Sequence, residues 1–350
     1  MQIQQEQINE YEFDSSTNTG ELLPSHSFAR TRWPWVDIRI PFHRLGGDGS
    51  LFSKVSIVTP SFNQGMYLEE TIRSVLLQDY PNLEYIIIDG GSTDNSLEII
   101  RKYEKWIAYW VSEKDGGQAD AINKGFSLSS GEYLGWLNSD DILYPSAISR
   151  VVNVFHSEPR VDLIYGDIDQ GQSFNLEMLP LYGEQIEFSE MLRTLRVPIP
   201  QQGSLWRRSV IERCGNLDAR WHVVLDREFY IRVAQSCQLH YLPRKLGFFR
   251  NHEQSKSISQ GRLWLTELPE MYREFFERSD LPDSLRKLES ETMGAVFLAC
   301  ASIAHQCDET YRAARFLTQA LMADPLSLFR SRIRSKVFGF LLNLTQRIRT

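Results

Sequence analysis

The sequence has little that would indicate a disulfide-stabilised or nucleic-acid-binding protein. Its four cysteines fall in no CxxC spacing and lie only in the second half of the chain, so neither a zinc ribbon nor a disulfide framework is indicated, and a reducing compartment is expected. Acidic side chains outnumber basic ones by 45 to 38, which gives a formal charge of −7. A dedicated nucleic-acid binder would need the opposite excess to replace counterions along a phosphate backbone.

Long apolar runs are also lacking. The longest, around residues 295–304, is too short for a bilayer span of about 20 residues. The first residues show no basic segment followed by an apolar stretch, as a secretory signal would. We therefore expect a cytoplasmic protein that is at most peripheral to the inner face of a membrane. The 350 residues are 42% hydrophobic and 12% aromatic, a composition that excludes intrinsic disorder because it can bury a sizeable core.

From about residue 54 the chain alternates short β-branched runs with helical periodicity. The pattern predicts strands at 55–60, 83–89, 107–111, 133–137 and 163–165, with helices around 68–76, 99–103, 118–128 and 148–155. Serial βα units are typical of a parallel sheet covered on both faces. The sequence thus predicts an α/β fold with a doubly wound, mainly parallel, Rossmann-like sheet.

The second half of the chain has a mixed pattern. It predicts strands near 203–208, 239–242 and 246–249, a helix at 226–234, and only helices from about residue 263 onward. One helical hairpin near residues 312–325 resembles a single tetratricopeptide unit, fewer than the three or so that a solenoid needs. We divide the chain into an irregular lead-in, a main domain of two halves and a helical extension: residues 1–52, 53–260 (53–168 and 169–260) and 261–350.

Acidic residues follow several of the predicted strands, where ligands bind in sheets of this kind. None of these segments is a glycine-rich phosphate cradle, and a dinucleotide fingerprint would need its glycines at the first turn. Asp140 and Asp141 are adjacent carboxylates, which are costly side by side unless a cation or solvent neutralises them. A helix N-cap explains Asp141 equally well.

Three segments, residues 59–103, 113–126 and 131–145, resemble the nucleotide-sugar domain of family-2 glycosyltransferases. The resemblance runs from about residue 54 to about residue 259, and several motifs in the right order make it more specific than any one alone. It implies the GT-A fold and an inverting transfer of a hexose-type sugar. The implied partners are a nucleotide-diphosphate sugar, most simply a UDP-sugar, and a glycan or lipid-linked acceptor in polysaccharide or cell-envelope assembly.

The resemblance also implies a donor site in the loops after the strands, with Asp89 bonded to a uracil-like base. The implied nucleotide-sugar contacts are Pro60, Ser61, Asn63, Asp89, Gly91, Ser92, Gln118, Asp120, Asn138, Asp140 and Arg250. Helix capping explains Ser92 and Asp94 at least as well. The resemblance also places Asn123, with Gln118 and Asp120, near the ribose and the sugar. A solvated helix position explains Asn123 equally well.

A metal site is implied by the segment Asn138-Ser139-Asp140-Asp141, which matches the family's D-x-D motif with Asn138 in place of the first Asp. Asp140 is the main implied ligand and Asp141 the next. His252 completes the set, since residues 249–257 resemble the family's closing R-x-H-x-x-S element. A hard divalent cation, Mn²⁺ or Mg²⁺, suits these ligands and would neutralise charge on the leaving diphosphate. Arg250 and Lys256 are cations for the same diphosphate or, alternatively, part of a solvated basic turn.

The catalytic base is implied by residues 225–232, in which Asp226 falls on the family's base position and Leu225 replaces the usual preceding Glu. An inverting transfer needs one carboxylate to take the proton from the acceptor hydroxyl. Glu228 is the alternative base, although on a helix it would point to a different face. The remaining alternative is that Asp226 caps the helix that follows.

Residues 328–350 carry six basic residues around an apolar cluster. This pattern predicts docking on an anionic membrane surface, and packing against the protein's own domain or a second copy explains it equally well.

Two rival functions remain at this level. A sugar nucleotidyltransferase would need a glycine-rich and basic phosphate-binding loop at the end of the first strand. Residues 59–65, which follow that strand's start, contain no Lys or Arg. A binding protein that kept the nucleotide pocket and lost turnover stays an alternative because of the two departures at Asn138 and Leu225.

Overall fold

The computed structural model describes residues 20–24, 33–35, 39–41, 52–78, 80–174 and 176–327. The predicted basic segment 328–350 lies outside them. The strands are β1 (Gly20–Leu22), β2 (Arg39–Pro41), β3 (Val55–Ser61), β4 (Leu83–Asp89), β5 (Tyr109–Ser112), β6 (Tyr133–Trp136), β7 (Ile142–Leu143), β8 (Leu163–Gly171), β9 (Leu179–Leu181), β10 (Ser204–Arg207) and β11 (Leu239–Arg250). The helices are α1 (Gly65–Leu76), α2 (Ser96–Tyr103), α3 (Gln118–Leu128), α4 (Ala147–Ser157), α5 (Phe188–Thr194), α6 (Arg208–Cys214), α7 (Leu225–Ser236), α8 (Lys256–Ser259), α9 (Trp264–Glu277), α10 (Asp283–Arg286), α11 (Glu289–Gln306) and α12 (Thr310–Ala323).

A nine-stranded sheet forms the centre of the protein, in the order β5-β4-β3-β6-β10-β8-β11-β7 with β9 paired to β8. Strands β3, β4, β5 and β6 are mutually parallel, as serial βα units require. Strand β10 is inserted antiparallel between β6 and β8, which makes the second half mixed. The predicted α/β fold with a mainly parallel sheet and C-terminal helices is confirmed.

The sheet is buried on both faces because strand side chains alternate. In β4, Tyr85 and Ile87 face one hydrophobic layer while Ile86 and Ile88 face the other. The first layer includes residues of α1, α2 and α4, and the second includes residues of α3, α7, α9 and α11. The C-terminal helices therefore share a hydrophobic core with the sheet.

Strand β11 differs from the prediction of two short strands. It is one strand of 12 residues that pairs in parallel with β8. The register shifts between Leu242 and Lys245 and again between Lys245 and Gly247, and these irregularities carry the strand past Pro243, which interrupts the apolar pattern.

Part of the predicted irregular lead-in packs against α1. The Trp35 side chain is 7% exposed and its Nε1 donates to Glu70 Oε1 at 3.0 Å. The buried Arg73 donates through Nε to the Pro34 carbonyl at 3.0 Å. The division of the chain at residues 52, 168 and 260 remains a prediction. Across the described ranges, every helix is too short or too polar to span a bilayer.

Candidate active site

The parallel strands deliver several loops to one edge of the sheet. Ser61 and Asp89 are register partners at the ends of β3 and β4. Strand β6 ends at Trp136, the register partner of Val58 in β3, and the loop of residues 137–141 follows it. Ser61 is 4% exposed, and its hydroxyl is buried with no hydrogen-bond partner in the part of the chain that the structure describes. A buried hydroxyl of this kind is unusual in a folded protein and marks this edge as a place where a ligand could supply the missing bond.

Asp89 builds the loop that follows β4. It is fully buried, and its Oδ2 accepts hydrogen bonds from Gly91 N at 3.1 Å, Ser92 N at 2.8 Å and Ser112 Oγ at 2.6 Å. Its Oδ1 accepts from Ser92 Oγ at 2.5 Å. With both oxygens engaged by protein donors, Asp89 shapes the loop, and its contact with a nucleotide base remains a prediction.

The loop after β3 interlocks with the loop after β4. Asn63 adopts a left-handed backbone conformation, with φ of 52°, and its Oδ1 accepts from Thr93 N at 2.8 Å. Asp94 accepts from Gly65 N at 2.9 Å and from Ser96 N at 3.0 Å. These amides begin α1 and α2, so Asp94 serves as a capping carboxylate for both helices.

Asp140 and His252 meet at this edge. Asp140 Oδ2 lies 3.0 Å from His252 Nε2, and the two side chains are only 15% and 10% exposed. The Tyr67 ring supports the imidazole, with ring centroids 4.6 Å apart. Residues 112 positions apart are thereby brought together as one oxygen and one nitrogen donor.

Asp141 points the opposite way. It is fully buried, and its carboxylate accepts from Arg250 N at 3.0 Å, Gln202 Nε2 at 2.8 Å and Asn138 Nδ2 at 3.1 Å. Burial, and secondarily the charge of Asp140, raise the pKa of Asp141, while these donors oppose the shift. The structure therefore places Asp141 behind the Asp140–His252 pair, and its role as a metal ligand remains a prediction.

Arg250 is hydrogen-bonded to the loop that carries Asp140 and Asp141. It is 4% exposed, and its Nη2 lies 2.6 Å from Glu70 Oε2 while its Nε donates to the Asp140 carbonyl at 2.9 Å. Its guanidinium lies over the Tyr67 ring, 4.7 Å from the centroid. The Arg250 guanidinium is thus engaged by partners within the protein. Its contact with a nucleotide sugar remains a prediction.

Gln118 connects the metal-side loop to the second half of the chain. Its Nε2 donates to Asn138 Oδ1 at 2.8 Å, and its Oε1 accepts from Lys256 Nζ at 3.3 Å. Asp120 is exposed and accepts from Gly116 N at 3.0 Å. Asn123 is no solvated residue, because its side-chain amide forms two hydrogen bonds with the backbone of Leu217, at 2.8 and 3.0 Å.

Asp226 lies inside the first turn of α7, one residue past the helix start, so it is not the N-cap residue. Its Oδ1 accepts from Arg227 N at 2.7 Å. Burial raises the pKa of Asp226, and the nearby Arg227 and Lys256 charges act in the other direction. Such a half-buried carboxylate with a raised pKa is suited to proton transfer. Glu228, the alternative base, is engaged by Arg232, with Oε1 and Nε 2.6 Å apart.

Two adjacent glutamines were not anticipated as site residues. Gln201 and Gln202 are 6% and 8% exposed; Gln202 bonds Asp141, and Gln201 Oε1 accepts from Asn138 Nδ2 at 3.2 Å. The available signal was a polar pair directly after Pro200 in an otherwise apolar stretch. Trp221, five residues before Asp226, is 5% exposed and belongs to the core.

The donor set fits a hard divalent cation that is completed by a substrate. No group of three or more metal-ligating side chains forms within the ranges described above. Mg²⁺ and similar ions are nonetheless commonly held by one or two protein ligands together with waters and substrate phosphates. Asp140 and His252 supply that number of ligands.

Comparison with known proteins adds a sequence relationship. The model of the family described as glycosyl transferase family 2 matches residues 56–213. An uncharacterized glycosyltransferase of Mycobacterium tuberculosis is 32% identical over 187 residues, which span 53% of this chain and 70% of that relative.

Solved structures share the fold at low sequence identity. The S. aureus TarS fragment 1–349, in complex with UDP-GlcNAc, superposes with a TM-score of 0.56 at 14% identity, covering 79% of this chain and 92% of the fragment. The chain covers 49% of a longer TarS chain. The mannosyltransferase PcManGT from Pyrobaculum calidifontis, in complex with GDP-Man and Mn²⁺, gives a TM-score of 0.55 at 16% identity, covering 86% of this chain and 83% of that one.

Proposed function

The chain belongs to glycosyl transferase family 2, and from this premise we propose that it transfers a sugar from a nucleoside diphosphate, UDP in the first instance, to an acceptor hydroxyl with inversion. The acceptor in this proposal is a glycan or lipid-linked saccharide of a cell-envelope polysaccharide. Support for the donor class comes from the fold neighbours, one solved with UDP-GlcNAc and the other with GDP-Man and Mn²⁺.

The observation that carries the proposal is a group of polar and charged side chains that leads from Asp140 through Lys256 toward Asp226. Asp140 contacts His252, and Gln118 joins the neighbouring Asn138 to the ammonium of Lys256. The charge of Lys256 in turn acts on Asp226. A cation-binding pair, a positively charged group and a carboxylate with a free oxygen are the groups that this displacement needs.

In this proposal, Asp140 and His252 hold a divalent cation with Asp141 fixed behind them. When bound, the cation supplies positive charge that stabilises the leaving diphosphate. Lys256, whose Nζ donates to Gln118 Oε1 at 3.3 Å, adds a second positive charge. Burial lowers the pKa of Lys256, and the charges of Glu267 and Asp226 counteract that shift.

Asp226 acts as the base. Its Oδ2 accepts no hydrogen bond from the described residues, so it is available to the proton of an acceptor hydroxyl. As that oxygen forms its bond to the anomeric carbon, the bond from this carbon to the diphosphate oxygen breaks on the opposite face. The proton passes to Asp226, and the configuration at the anomeric carbon inverts in a single displacement.

The test is nucleotide release from UDP-, GDP- and dTDP-sugars with and without Mn²⁺, for the native chain and the variants Asp140→Asn and Asp226→Asn. We expect release that depends on Mn²⁺ and falls by about 10²- to 10⁴-fold in Asp226→Asn, the usual range for losing a general base. Asp226→Asn should still bind UDP with Mn²⁺ in calorimetry, whereas Asp140→Asn should lose the response to Mn²⁺.

The matched control is Asp283→Asn, an exposed carboxylate in α10, which should release nucleotide like the native chain. A loss in Glu228→Gln with an active Asp226→Asn would move the base to Glu228. UDP binding without release from any donor, even with added glycan acceptors, would favour a binding protein that has lost turnover.

A further inference from the structure

Helix α7, which carries Asp226, begins without a capping side chain of its own. Its N-cap residue is Val224, which has no side-chain acceptor. The first amides of a helix have no intrahelical partners. The amides of residues 222–224 lead into the first turn, where Asp226 lies, and acceptors for these amides help to fix the backbone just before it.

Glu267 of α9 supplies them. Its Oε2 accepts from the amides of His222 at 3.0 Å, Val223 at 2.8 Å and Val224 at 3.3 Å. Its Oε1 lies 3.1 Å from both the amide nitrogen and Nδ1 of His222. Glu267 is 7% exposed, and each of its oxygens accepts from at least one backbone amide. The negative charge also lies at the positive end of the α7 dipole.

A second contact joins the same two helices on the other side of Asp226. Arg227 Nη1 lies 3.3 Å from the Tyr272 hydroxyl of α9 and donates to the Leu195 carbonyl at 2.8 Å. Helix α9 thus holds the backbone before Asp226 through Glu267 and the side chain after it through Tyr272. The negative charges of Glu267 and Asp226 both act to raise the pKa of Lys256.

We propose that Glu267 is a positioning residue for the base: by fixing the backbone of residues 222–224, it sets where the Asp226 carboxylate stands relative to the acceptor hydroxyl. This inference rests on the proposed function, because it assigns Asp226 the role of base. It also gives α9, and with it the C-terminal helical extension, a direct part in the active site.

The experiment compares Glu267→Gln and Glu267→Asp with the native chain, and uses Glu270→Gln as the matched control. Glu270 is exposed on the same helix. Nucleotide release with Mn²⁺ gives kcat and the donor KM, and hydrogen exchange read by mass spectrometry follows the peptide that covers residues 222–228. The two readouts separate a loss of positioning from general destabilisation. A loss of positioning raises exchange only near residues 222–228 and lowers kcat without changing the donor KM.

For Glu267→Gln we expect faster exchange at residues 222–226 and a fall in kcat of about 10- to 100-fold, the loss that a base displaced by about 1 Å produces. The donor KM should stay within about twofold, since the donor loops are untouched. Glu267→Asp keeps the charge and should recover part of the rate, while Glu270→Gln should match the native chain in both readouts.

An unchanged kcat in Glu267→Gln, with a native chain that is active, overturns the inference and leaves the proposed function intact. A fall in kcat together with a rise in the donor KM, and with faster exchange throughout the protein, would also overturn the inference. A native chain that releases no nucleotide from any donor contradicts the proposed function, and the inference fails with it.

Discussion

A buried carboxylate at the end of a strand, Asp89, and a half-buried one in a helix, Asp226, have opposite hydrogen-bonding environments. Asp89, at the end of β4, accepts three hydrogen bonds from the loop that follows it and one from Ser112 of β5. Asp226, at the start of α7, accepts one from the amide of its neighbour. Asp89 thus shapes its loop, while one oxygen of Asp226 accepts no hydrogen bond from the described residues. An acidic residue at a strand end is therefore weak evidence for chemistry until its partners are known.

The largest stability effect should come from Asp89→Asn. The new amide group would face N–H and O–H donors, so the free energy of unfolding should fall by about 3 kcal/mol, more than one lost neutral hydrogen bond. Urea denaturation at pH 7 measures it. Asp120→Asn, an exposed carboxylate with one backbone hydrogen bond, should lose less than about 1 kcal/mol. Equal losses in the two variants would show that the loop does not depend on the four bonds of Asp89.

A smaller loss is expected for Glu70→Gln, which removes the negative partner of Arg250 while keeping a hydrogen-bond acceptor. The two side chains are 16% and 5% exposed, so the unfolding free energy should fall by about 1–2 kcal/mol. The neighbouring pair of Glu69 with Lys102 is more exposed, at 24% and 34%, and Glu69→Gln should cost less than about 1 kcal/mol. A larger loss in Glu69→Gln would contradict the assignment of Arg250 as the anchor of the Asp140 loop.

The smallest effect should have the opposite sign. Burial raises the pKa of Asp226 in the folded protein above the ordinary value of about 3.9. The folded state therefore binds the proton more tightly than the unfolded state, and this contribution to stability, fully present below about pH 3.9, is lost as pH rises through the folded pKa. Because asparagine does not ionise, Asp226→Asn should be slightly more stable than the native chain at pH 7, and the difference should vanish near pH 4. Thermal unfolding at the two pH values tests this, and a destabilised variant at pH 7 would mean that the Asp226 carboxylate supports the fold.

Local patterns predicted the repeating part of the molecule well. Helix α3 was predicted at residues 118–128 and begins and ends there, and β4 ends at Asp89 as the glycines after it indicate. These elements are specified by neighbouring residues, through apolar periodicity and turn-forming residues. The edge of the sheet where the loops gather follows from the same information, because parallel strands end together.

The environment of each side chain could not be predicted in this way. The sequence treats Asp140 and Asp141 alike, yet the loop turns the first toward His252 and the second toward Arg250 N and Gln202. The partners of Glu267 lie 43 to 45 positions away and the partner of Arg250 lies 180 positions away. Such pairings depend on how the halves pack, and a single sequence carries no local signal for them.

The two register shifts in β11 help to set the position of His252 in the candidate active site. The strand is paired with β8 up to its last residue, Arg250, two residues before His252, so the register after the shifts fixes how far His252 reaches toward Asp140. Removing one residue near Lys245 would pull the following chain back by about 3.3 Å and turn alternate side chains to the other face. The spacing of the Asp140–His252 pair therefore depends on two irregularities in the middle of the strand, before the segment that leads to His252.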